Sequence, residues 1–193
     1  MARLAGREYT RSPQTDHGLR LAAEALQWDG EVLGGVTYFG TTMSVVVMID
    51  RDAHARRQEL GVARPIVDAD TLAMWEWPDC QGAFPPTVLS IVGVLSHCGH
   101  DVEDRVRTAR KWRGFTASAV VVANERAMTE DMRLECAYSG IGVVSQHLER
   151  ADVVLVGSAG RRAPARRTTV DRWLEEQLYR QVLARPDLAD ALL

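Results

Sequence analysis

The stretch Leu95 to Val106, LSHCGHDVEDRV, places His97, Cys98 and His100 within four positions and follows them with Asp101, Glu103 and Asp104. Imidazole and thiolate are zinc donors, so the spacing raises the question of a metal site. A structural zinc takes four ligands, usually as two close pairs. Only Cys80 and Asp101 are at hand to complete such a set, and no Cys-x-x-Cys pair anchors it. The pattern reads better as a helix entrance, in which Gly99 ends the preceding segment, Asp101 is the N-cap and Asp104 stands at the third helical position. Zinc is therefore not favoured.

A second set is acidic. Asp50 and Asp52 follow VVVMI, Asp68 and Asp70 follow PIV, and Glu76 and Asp79 come next. Carboxylates converging at a sheet edge could hold Mg²⁺, a hard cation that prefers oxygen ligands and keeps water as a nucleophile. Aspartates also collect in turns because their side chains bond the local backbone. Asp50, Asp70, Glu76 and Asp79 are the candidate Mg²⁺ ligands.

The third set is basic. Arg161, Arg162, Arg166 and Arg167 surround Pro164, and guanidinium groups on an exposed segment suit phosphates. Arg107, Arg110 and Arg113 or Lys111 could form a stripe on a helix. Lys111 is the one lysine among 23 Lys and Arg residues. No Gly-Lys-Ser/Thr is present, which excludes a lysine P-loop, and Schiff-base chemistry would have to use Lys111. VGSAG at 156–160 is no nucleophile elbow, and the glycines of SGIGVV precede a strand instead of joining a strand to a helix. The net charge of −3 gives no global pull on nucleic acid, so such binding must come from a local patch.

These residues need elements to position them. HGLRLAAEALQW (17–28) has helical spacing with Asp16 as its cap. Two β-rich runs, 31–38 and 43–49, flank a turn at Phe39 to Thr42 and predict a hairpin. RDAHARRQELG (51–61) reads as a solvated helix or long turn, and RPIVDADTLAMWEWPDC as extended structure. TVLSIVGVL is a buried helix or strand, and 101–113 an amphipathic helix with Val102, Val106, Ala109 and Trp112 or Arg113 on one side. ASAVVVAN, MTEDMRLECAYSG and IGVVSQ then give strand, helix and strand, with Thr129 as cap and Gly140 as stop, which argues for parallel pairing through a crossover. Met128 and Met132 read as core fillers. ADVVLVGS (151–158) adds a strand. The last helix should share Val170, Trp173, Leu174, Leu178 and Val182 on one face.

The fold expected is α/β, with a mixed central sheet flanked by helices in a single domain. A flexible amino terminus (1–16) precedes an α/β core (17–160), an Arg-rich loop (161–169) and a C-terminal helix (170–193). A chain of 193 residues with 46% hydrophobic and 25% charged residues can bury such a core. Cys80, Cys98 and Cys136 have unrelated spacings and read as reduced thiols. No apolar run approaches the roughly 20 residues of a membrane span, and no secretory h-region precedes the first helix, so a cytoplasmic location is expected.

A helix, a hairpin, an extended segment carrying acids, a helix and then ASAVVVANERAMTEDMRLECAYSGIGVVS follow in an order that resembles the restriction-endonuclease-like superfamily, the PD-(D/E)XK nucleases, best over residues 101–145. That resemblance implies Mg²⁺-dependent phosphodiester cleavage, with an aspartate at one strand end and an acidic-x-lysine on the next strand. Asp50 or Asp70 would fill the first role and Glu76 or Asp79 the second. No lysine stands two residues beyond either acid, so Gln81 or a migrated Lys111 would have to substitute, and a binding-only member is the other form the resemblance allows. The expectation is a protein acting on or binding DNA or RNA through the Arg-rich loop. The alternatives are a self-associating interaction module presenting MWEW (74–77) to a homo-oligomer or protein partner, and a small-molecule enzyme or sensor using Asn124, Glu125 and Ser145.

Overall fold

The computed structural model describes residues 13–74, 77, 84–97, 101–158, 168–189 and 192. Helix α1 (Pro13–Ala25) starts with proline, whose fixed φ and missing N–H suit a first turn. The helix thus begins three residues before Asp16. Of the amino-terminal stretch expected to be flexible, 13–16 belong to this helix and 1–12 lie outside the described residues.

The β-branched runs form strands β1 (Glu31–Tyr38) and β2 (Thr41–Ile49), an antiparallel hairpin closed by Phe39 and Gly40. Asp50 stops β2: its carboxylate accepts from the Ala53 N–H at 2.8 Å and caps helix α2 (Arg51–Glu59). Asp68 likewise accepts from the backbone N–H and hydroxyl of Thr71, which turns 69–74 into helix α3 (Ala69–Met74) where extended structure was expected. A short polar stretch with a strong local acceptor is a capped turn before it is a strand. TVLSIVGVL resolves as strand β3 (Leu89–Ser96). Its Gly93 is required by close packing, since a Cβ there would lie 2.4 Å from the Trp28 ring.

Asp101 caps helix α4 (Val102–Trp112) by accepting from the Asp104 N–H at 2.8 Å. Strand β4 (Ala117–Val122), helix α5 (Glu130–Ser139) and strand β5 (Gly142–Gln146) follow, with Thr129 as the cap and Gly140 in the left-handed conformation (φ 68°) as the stop. Strand β6 (Ala151–Leu155) ends short of the 158 expected. Helix α6 (Thr169–Leu183) opens with a capping box between Thr168 and Asp171, and α7 (Pro186–Ala189) trails it.

The sheet runs β1-β2-β3-β4-β5-β6 in chain order. The first three strands are antiparallel, β3, β4 and β5 are parallel through α4 and α5, and β6 turns back antiparallel. Alternation of side chains along each strand divides the core into layers. Val45, Val47 and Val94 meet Leu174, Leu178 and Val182 of α6, and Val120, Val122 and Val143 meet Val106 and Ala109 of α4 and Cys136 of α5. On the opposite face Val46, Leu95, Ala119, Val121 and Val144 lie under Leu19, Ala22 and Ala23 of α1. The single α/β domain with its C-terminal helix is as expected. Met128 is buried and Met132 packs beside it. On α4 it is Trp112, not Arg113, that enters the core, and on α6 Val170 stays outside it. Among the described residues no helix is long and apolar enough to cross a membrane.

Candidate functional site

The polar helix α2 is not solvated throughout. His54 and Arg57 are buried on its inner face, and Arg57 meets Glu176 of α6 in a two-pronged ion pair. Arg57 Nε donates to the Pro86 carbonyl at 2.7 Å, while Glu176 accepts a second bond from the Ile66 N–H at 2.8 Å. The guanidinium also lies over the Tyr179 ring, 5.4 Å from its centroid. Tyr179 donates its hydroxyl proton to the Ala63 carbonyl, so the 2.7 Å contact with His54 Nδ1 must be an N–H donated by the imidazole, which leaves His54 Nε2 to accept from Gln58 at 2.9 Å. Burial, aided by the Arg57 charge, holds His54 below its ordinary pKa and thereby neutral. Burial raises the Tyr179 phenol, with Arg57 opposing. Every group in this cluster is occupied by another, so it clamps α2 to α6 and has nothing to offer a ligand.

Of the candidate acids, the two that are described, Asp50 and Asp70, stay outside the core. Asp50 is exposed and engaged as the α2 cap, Asp70 is exposed in the first turn of α3, and Lys111 is exposed on the last turn of α4. Glu76, Asp79 and Gln81 lie outside the described residues. The resemblance implies an aspartate at one strand end and an acidic-x-lysine on the next strand; Asp50 does follow the end of β2, whereas β3, LSIVGVLS, carries neither carboxylate nor lysine. Among the described residues no three His, Cys, Asp or Glu side chains gather where they could share a metal ion.

The opening motif divides. Asp101 is the helix cap expected of it, whereas Asp104 pairs with Arg107 at 3.1 Å. His97 Nε2 lies 2.9 Å from the Ser44 hydroxyl, and Cys98 and His100 fall outside the described residues. A serine paired with an imidazole is the beginning of a nucleophile, but Ser44 has 0% of its surface exposed, so no substrate reaches it. Beyond the end of β4 a cleft of about 410 Å³ is bordered by Asp101, Glu103 and Arg105 over Val122, Ala123 and Met132. Asn124 caps the turn at 125–127, Glu125 is exposed, and Ser145 is buried in β5; none of the three borders the cleft.

The basic sets fare differently. Arg107 is paired with Glu103 and Asp104, and Arg110 with Glu135 at 2.8 Å, so the predicted stripe on α4 is partly neutralised. Arg161, Arg162, Arg166 and Arg167 lie outside the described residues, between Ser158 and the α6 cap Thr168. The tip of the β1–β2 hairpin lies against the end of α4 and the start of α6. Tyr38 packs edge-on against Trp173 of α6 at 5.7 Å, and Phe39 packs against Trp112 of α4 at 5.5 Å and stacks on Phe115 at 5.8 Å. Trp112 anchors the same tip by donating its indole N–H to Thr41 Oγ1 at 3.1 Å. Lys111 and Arg113 flank Trp112, Arg172 precedes Trp173, and exposed Arg180 is close enough to oppose the rise that burial causes in the Tyr38 pKa.

Nothing in the sequence reading singled out the hairpin tip. The signal available was a phenylalanine in a two-residue hairpin turn, where asparagine or glycine is usual. Comparison with family models, curated proteins and solved structures finds no match for this chain.

Proposed function

We propose that this protein binds nucleic acid, its sheet serving as the scaffold and its hairpin tip as the centre of the interface. The observation that carries the reading is that aromatic contacts at the tip bring the end of α4, where Lys111 is exposed, and the start of α6, into which the Arg-rich segment leads, to one corner. Cations around exposed aromatic surface are what backbone phosphates and bases require. The restriction-endonuclease-like reading rests on the run β3, α4, β4, α5, β5, while helix α3 stands where its acid-bearing extended segment was expected. The absence of carboxylate and lysine from β3 favours its binding form over Mg²⁺-dependent cleavage.

The test is affinity for labelled duplex and single-stranded oligonucleotides across a salt series. Replacing Arg161, Arg162, Arg166 and Arg167 with alanine should weaken binding and reduce the log–log salt slope by about 0.9 per lost contact on duplex, or about 0.7 on single strands. Absence of salt-dependent binding by the wild type would sink the reading. Incubation of plasmid with Mg²⁺ or Mn²⁺ decides the catalytic form.

A self-associating module is the second reading, favoured by Leu134 and Tyr138, exposed four residues apart on α5, and by Trp77 and Met74, which are also exposed. Sedimentation of a dimer that Tyr138→Glu or Trp77→Glu dissolves would support it, and a monomer at high concentration would remove it.

A further inference from the structure

We infer that the ring of Phe39 is a stacking platform for an unpaired nucleobase, so that the ligand is single-stranded nucleic acid. The inference rests on the nucleic-acid reading above and narrows it.

Phe39 has φ 52° and Gly40 φ 71°, both left-handed, in a two-residue hairpin turn. That is the type I′ arrangement, for which Asn-Gly is the favoured pair and a bulky aromatic at the first position is strained. Contacts with Trp112 and Phe115 offset part of the strain, yet 53% of the Phe39 surface remains exposed. The ring is held flat against Phe115, the two planes only 15° apart, with Trp112 supporting it at a tilt. Below the tip a hydrogen bond of 2.9 Å between the Thr37 and Thr42 hydroxyls ties the strands together. The result is a pre-positioned aromatic surface at the most projecting point of the hairpin. A strained residue whose ring is displayed is better accounted for by a ligand than by packing.

The surrounding chemistry indicates which ligand. Exposed Arg180 lies close enough to Tyr38 to act on its phenol, and exposed Lys111 precedes Trp112 at the end of α4. Cations near an aromatic face suit a chain that alternates phosphates with flat bases. A duplex hides the faces of its bases, so a ring on a hairpin tip reaches them only in a single strand.

The experiment compares wild type, Phe39→Asn and Phe39→Trp by fluorescence anisotropy with oligothymidine and oligouridine of about 15 nucleotides, within reach of a small binding module, and with a duplex of equal length. Asparagine suits the turn, so F39N keeps the hairpin while removing the ring; near-ultraviolet circular dichroism checks the fold. F39N should lose about 5- to 100-fold in single-strand affinity, F39W should retain it, duplex binding should not change, and the salt slope should stay the same because phosphate contacts remain. The two single strands tell whether the 2′-hydroxyl matters. Wild-type affinity in F39N, a wild-type preference for duplex, or an F39W as weak as F39N would each overturn the stacking platform alone. No binding to any of the three ligands would overturn the nucleic-acid reading with it. A dimer that F39N dissolves, without nucleic-acid binding, would make the tip a protein interface and overturn both.

Discussion

Helix α6 meets two junctions built on opposite terms. Along its Glu176 and Tyr179 side it closes on α2, and Arg57, Glu176, His54 and Tyr179 each hydrogen-bond to groups inside the protein. Along its Trp173 side it meets the hairpin tip, where Phe39 is strained and half in solvent and Arg180 lies near Tyr38. A buried charge must be satisfied internally because the desolvation penalty is otherwise uncompensated. A displayed aromatic ring carries no such obligation and can engage a ligand. Polarity alone thus misleads about function here, since the most polar buried cluster is structural and the aromatic corner is the candidate interface.

The comparison can be broken most forcefully at the clamp. Glu176→Gln leaves the Arg57 guanidinium buried with its charge uncompensated, and unfolding in urea should show a loss of about 3–5 kcal/mol. Replacing both Arg57 and Glu176 with methionine should cost less than the single change, although the Pro86 carbonyl and the Ile66 N–H then lose their partners. A loss under about 1 kcal/mol for Glu176→Gln, the range of an exposed ion pair, would show that this junction is not the closed structure described.

The tip should respond in the opposite way. Phe39→Asn relieves a left-handed aromatic residue, which costs about 1–2 kcal/mol, and forfeits ring contacts of about 0.5–1.5 kcal/mol per pair. With two ring pairs lost, stability measured in urea should then change by between a gain of about 1 kcal/mol and a loss of about 2 kcal/mol. A loss as large as that of Glu176→Gln would place Phe39 among the structural residues and remove the contrast.

The smallest effect is the pH response of His54, one group shifted in one direction. Its folded pKa is lowered by burial and by Arg57, so folding favours the neutral ring. That contribution is present above the ordinary histidine pKa of about 6.5 and is lost as pH falls from there through the folded value. The urea midpoint of the wild type should therefore fall between neutral and mildly acidic pH more steeply than that of His54→Gln. Equal slopes in the two proteins would mean that His54 titrates as it does in the unfolded chain.

Local chemistry was legible in the sequence. Asp101 and Thr129 as caps, Gly140 as a left-handed stop, the β4–α5–β5 crossover and the amphipathic faces of α4 and α6 all follow from rules that act within a few residues or along one period. The reading failed where a short segment had two local solutions: PIVDADTLAM has the β-branched start of a strand, but the Asp68 carboxylate satisfies the Thr71 backbone and bends the chain into α3. Composition likewise made α2 a solvated helix, because nothing in RDAHARRQELG announces that Glu176, some 119 positions on, will neutralise Arg57. The same limit applies to the tip. Sequence placed an aromatic residue in a turn, but what it meets there depends on how the hairpin lies across α4 and α6. That is decided by packing among Tyr38, Phe39, Trp112, Phe115 and Trp173, contacts between side chains far apart along the chain, which no local propensity encodes and only the folded sheet brings within reach.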